Sequence, residues 1–95
     1  MGHKHNLISH IMEQNVLQQI SVPGHPIVEI SGDHRVLIEN HLGVAAYGND
    51  RILVNVKFGK LSICGCKLEI MHMTKDQLVI HGIIGSVEIQ RRENF

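Results

Sequence analysis

The side chains able to do chemistry are few in this sequence, and the most reactive pair is Cys64-Gly65-Cys66. Thiolates take soft metals and can cycle between dithiol and disulfide. A structural zinc centre needs four ligands, however, and the chain has no second cysteine pair. Two cysteines one glycine apart on a tight turn bridge only with strained geometry. The plainer reading is two reduced thiols without a role. The alternative is a small metal-responsive protein using Cys64, Cys66 and one or two histidines.

Eight histidines are many for this length. His3 and His5, with His10, could clasp a metal near the start, but little would preorganise them. His34 and His41 fall in or beside turns, and His72 and His81 beside strands, so all four are expected at the surface. The helical His pair with adjacent acid of a metalloprotease does not occur. So many imidazoles imply a large change in charge between neutral pH and about pH 5.5, and with it pH-dependent association or solubility. Glu29, Glu39, Glu69 and Glu88 fall on outward strand positions as solvated carboxylates, unpaired for acid–base work. Phosphate loops, dinucleotide fingerprints and the nucleophile elbow do not occur. The expectation is a non-enzymatic protein with no catalytic residues and no cofactor.

What must position these residues is one domain of 95 residues. A chain of this size buries roughly 60 to 65% of its unfolded surface, a modest margin. Tyr47, Phe58 and Phe95 are the only aromatics, so the core is aliphatic and its Ile, Val and Leu suit strands. Nine Lys plus Arg balance nine Asp plus Glu. Without a basic patch or stacking aromatics, nucleic acid is not an expected partner. No apolar run approaches the roughly 18 to 20 residues that span a bilayer. No apolar signal core follows Met1 to Asn6, and two cysteines are not a secreted framework, so the expected location is cytoplasmic.

The stretch from Arg51 to Ile70 organises the chain. Ile52, Val54, Val56 and Phe58 alternate, then Leu61 and Ile63, then Leu68 and Ile70, the pattern of strands with one buried face. Two-residue turns at Gly59-Lys60 and Gly65-Cys66 would make a three-stranded meander, with Phe58 opposite Leu61 and Ile63 opposite Leu68. Before it, Leu7 to Gln19 reads as a short amphipathic helix capped by Asn6 and closed by Pro23-Gly24. Ile27 to Ser31 is a first strand with Val28 and Ile30 inward. A three-residue loop over Gly32-Asp33-His34 then sets Ile30 opposite Val36. Arg35 to Asn40, with Val36 and Ile38 inward, and Gly43 to Tyr47 follow, and Gly48-Asn49-Asp50 turns into the meander. After a loop over Met71 to Asp76 come Gln77 to His81, with Leu78 and Ile80 inward, and Ser86 to Ile89. Gly82 marks a break where the inward set changes parity between Ile80 and Ile83. Gln90 to Phe95 reads as a frayed polar tail.

The fold expected is all-β with a short N-terminal helix, an antiparallel meander of seven to eight short strands folded as a sandwich or roll. The division is 1–24 for the N-terminal segment, 25–90 for the all-β domain and 91–95 for the polar tail. Leu37 and Leu53 stand on the otherwise polar faces of their strands and are the candidate partner-binding residues.

Three features together carry a family likeness. They are Val36-Leu-Ile-Glu-Asn-His-Leu-Gly-Val44, the spaced set Gly59-x-Leu61-x-Ile63-x-Gly65-x-x-Leu68-x-Ile70, and Leu78-x-Ile80-x-Gly82. With the lead-in Val28-x-Ile30-x-Gly32 they resemble the YabP/YqfC family of bacterial sporulation proteins over about Val22 to Ile89. Ile38-Glu39-Asn40-His41 followed by Gly43 looks closer to the YqfC branch. The resemblance implies a non-enzymatic protein of endospore-forming Firmicutes, acting in the mother cell in envelope or coat development beside a membrane-protein companion. The His- and Gln-rich lead-in departs from the basic, apolar one of YqfC-like members. The leading expectation is therefore a binding or scaffold domain whose polar face or strand edges dock a partner or a second copy.

Overall fold

The computed structural model describes residues 23–92, so the expected helix over Leu7 to Gln19 lies outside the described residues. Six strands make one antiparallel sheet: β1 (Ile27–Ser31), β2 (Arg35–Glu39), β3 (Val44–Tyr47), β4 (Arg51–Val56), β5 (Gly59–Met73) and β6 (Gln77–Arg91). Their order across the sheet is β1-β2-β6-β5-β4-β3.

The strand count and the central meander differ from expectation. Gly65-Cys66 is no turn: β5 runs through it for 15 residues, and β6 matches that length. The β4–β5 hairpin turns at Lys57-Phe58, with Val56 opposite Gly59, rather than at Gly59-Lys60. The shift keeps the inward parity but changes the partners: Ile52 faces Ile63 and Val54 faces Leu61, where Phe58 was expected opposite Leu61. Met71 to Met73 and Gln90-Arg91, expected as loop and tail, extend the two long strands.

Gly59 and Gly65 were expected in turns and Gly82 at a strand break, but all three mark backbone crowding. A Cβ on Gly59 would collide with the carbonyl of Gln90, and one on Gly65 with that of Ile83. One on Gly82 would lie 2.8 Å from the carbonyl of Lys67. These positions lack side chains because β5 and β6 cross closely there. Next to the Gly65 and Gly82 crossings the register slips, at Gly85 on β6 and at Lys67-Leu68 on β5, where Lys67 takes φ 53°. The parity change on β6 thus comes at Gly85. Ile84 packs on the core while Ile83 stays exposed.

One cluster holds the core: Val36, Ile38, Ile52, Val54, Val56, Leu61, Ile63, Leu68, Leu78 and Ile80, each at most 1% exposed. No second described layer covers these residues. They come from β2, β4, β5 and β6 and form a single cluster on the apolar side of the sheet. Val28 and Ile30 lie on the core side, opposite Ile38 and Val36 as expected. At the sheet edge, though, they remain 36% and 52% exposed rather than buried.

The two halves repeat. Gly32-Asp33-His34-Arg35-Val36-Leu37-Ile38 matches Gly48-Asn49-Asp50-Arg51-Ile52-Leu53-Val54, and Leu78-Val79-Ile80-His81-Gly82 matches Leu61-Ser62-Ile63-Cys64-Gly65. The pairing repeats as well. Arg35 faces His81 as Arg51 faces Cys64, and Ile38 faces Leu78 as Val54 faces Leu61. Even the hairpin tips dock alike. Gly82 N–H donates to the His34 carbonyl at 3.2 Å, and Gly65 N–H to the Asp50 carbonyl at 3.0 Å. A pseudo-two-fold between β5 and β6 relates β1-β2-β6 to β4-β5 with β3.

Candidate functional site

Leu37 and Leu53 occupy equivalent places under this two-fold. Leu37 sits between Glu29 and Val79, and Leu53 between Ala46 and Ser62, both half-buried on the outward side. They are not neighbours, since β6 and β5 lie between their strands. Each follows an arginine by two residues. The Arg51 Nε donates to Ser62 Oγ at 3.3 Å, which lays that guanidinium across β5. Sequence reading picked out the leucines but missed the repeat that relates them. A comparison of the chain with itself, sixteen residues displaced, would have found it (Arg35 against Arg51).

The thiols lie within β5 and not on a turn. Cys64 is half-buried opposite Arg51 and Ser86, with its Sγ 3.6 Å from Ser62 Oγ, and Cys66 is exposed opposite Ile83. Among the described residues no three His, Cys, Asp or Glu side chains converge as a metal site.

His41 corrects the expectation of surface histidines: it is 6% exposed. Gly43 N–H donates to its Nδ1 at 2.9 Å, so Nδ1 carries no proton. Nε2 must then hold the hydrogen and give it to the Thr74 carbonyl, 2.8 Å away. The ring thereby pins the linker between the two hairpins to the β5–β6 turn. Backbone bonds secure the same linker, from Asn40 N–H to the Asp76 carbonyl and from Leu42 N–H to the Asn55 carbonyl, both 2.7 Å. Over this floor an open groove is lined by Leu42, Met73, Lys75 and Asp76. Leu42 and Met73 are both exposed.

Strand edges form a further part of the surface. Beyond Arg35 opposite His81, β6 has no described strand on its β2 side; Gly82 and Ile84 N–H donate to the His34 and Asp33 carbonyls, and from Ser86 on the edge is open among the described residues. β1 and β3 are the outer strands. The geometry offers contact surfaces, and no described helix is long and apolar enough to cross a membrane.

A family model described as the YabP family matches residues 23–94 of the chain. The chain belongs to the YabP family. No curated protein and no solved structure matches it. The match spans every strand of this YabP-family fold, so the repeated halves and both long strands belong to the family region.

Proposed function

We propose that this chain is a non-enzymatic binding or scaffold module of sporulation, working in spore envelope or coat development beside a membrane-protein companion. YabP-family membership supports the sporulation setting. The run Ile38-Glu39-Asn40-His41 with Gly43 supports the YqfC branch. In this reading the chain resides in the mother-cell cytoplasm, reaches the membrane through its companion and can associate with its own kind.

The observation that carries the reading is the duplicated outward pair, Arg35 with Leu37 and Arg51 with Leu53. Inward identities are dictated by the shared core, whereas outward ones are free to differ between the halves. Repetition of the same cation and the same apolar side chain there supports two equivalent contact patches.

The test is whether the neighbouring reading frame encodes a membrane protein and whether that protein co-purifies with this chain. The double variant Leu37→Asp with Leu53→Asp should lose capture by about tenfold or more, as expected for removing two apolar anchors. Its circular dichroism should be unchanged. Undiminished capture by the folded double variant would sink the proposal.

A further inference from the structure

The C-terminal half of β6 breaks the pseudo-symmetry in an informative way. Ser86 to Arg91 pair with β5 on one side, from Cys64 opposite Ser86 to Gly59 opposite Arg91, without a bulge. Their counterpart on β5, Glu69 to Met73, slips register at Met71. That extra bulge has no equivalent after Ser86. The outer strand β3 is four residues long and bulged between Val44 and Ala46. Outer strand β1 is straight but runs only five residues after Pro26. Bulges, prolines and short edges are the usual protections against strand pairing. Among the open edges of the described residues, Ser86 to Arg91 is the longest straight run, with no Pro, Gly or Lys.

The apolar side of the sheet also continues onto this edge, where no described strand covers it. Ile89 lies opposite Leu61 and Val87 opposite Ile63. Leu61 is 1% exposed, yet Ile89 is 58% exposed.

We propose that this edge pairs antiparallel with the same edge of a second copy, about a two-fold axis at Ile89. The inference rests on reading the chain as a contact module and names one of its partners. Self-pairing fixes the register by chemistry. Centred on Glu88, it would set two carboxylates directly opposite, which is destabilising. Centred on Val87, it would waste Ile89 on Gly85. Centred on Ile89, it joins the two isoleucines and sets Val87 opposite Arg91 of the second copy. Glu88 then meets Gln90 of the second copy, the same two side chains that already bond along the strand, Gln90 Nε2 to Glu88 Oε1 at 3.2 Å. Such a pairing is isologous and closes at two copies, joining the β5–β6 faces across the axis.

Ile89 is exposed, so charge there leaves the monomer folded while opposing self-pairing. By sedimentation the native chain should be a dimer. Ile89→Glu alone and Ile89→Lys alone should each raise the dissociation constant at least about tenfold. Mixing the two variants should restore a heterodimer, because opposite charges then face each other. With Cys64→Ser and Cys66→Ser in place, Ile89→Cys should oxidise to a covalent dimer and Lys60→Cys should not. A native chain that stays monomeric overturns the proposal. So does a dimer indifferent to both charge variants, or one not rescued by mixing. Capture of the membrane companion is read on the same variants. Companion capture that persists with a monomeric native chain leaves the contact-module reading standing and removes only the self-pairing.

Discussion

His41 shows how one side chain can hold elements together. Its ring uses both nitrogens, accepting from Gly43 and donating to Thr74, and so ties the inter-hairpin linker to the β5–β6 turn. Neither bond survives truncation. His41→Ala would leave the Gly43 N–H and the Thr74 carbonyl short of partners, at a cost of about 1–3 kcal/mol. The urea midpoint should fall while the slope stays constant; an unchanged midpoint would mean that water replaces both bonds without loss. That role was not legible in the sequence. A histidine beside Leu42-Gly43 has the composition of a surface turn, and the acceptor that buries it lies thirty-three positions later, at Thr74.

At the scale of strands, the decisive residues are the crossing glycines. Gly65→Ala and Gly82→Ala each drive a Cβ into a backbone carbonyl, on Ile83 and Lys67 respectively. Each should cost about 1–3 kcal/mol or more from overpacking. Gly85→Ala meets its nearest atom, the Cys64 carbonyl, at 3.3 Å and should cost clearly less. Thermal melts of the three variants would decide; equal losses would show that chain entropy, not crowding, sets the cost. The inward sets of β2, β4 and the start of β6 were readable because period-two alternation reports one buried face, as was the three-residue loop that sets Ile30 opposite Val36. The long strands were not readable. Glycine carries the same mark whether it makes a turn or admits a neighbouring backbone, and only the position of β6 against β5 separates the two cases. Leu37 and Leu53 were readable as outward leucines, but their equivalence needed the pairing of both hairpins to become visible.

For the molecule as a whole, one core joins both halves, with Val36 and Ile38 from one hairpin and Ile52, Val54 and Val56 from the other. Tyr47 adds a link, since its hydroxyl accepts from Ile70 N–H on the far half of β5 at 3.4 Å. The halves should therefore unfold together. The sole tyrosine, read by its fluorescence, and far-ultraviolet circular dichroism should give coincident transitions in urea; two separated midpoints would mean that each half is stable alone. The repeat also bears on how the chain is made. The hairpin Val44 to Val56 finds its neighbour in the very next strand, as soon as residues 59–66 follow it out of the ribosome. The hairpin Ile27 to Glu39 must wait for Gln77 to Gly82, its apolar side unsheltered while the rest is translated. The half whose hairpin is synthesised first is thus the last to close.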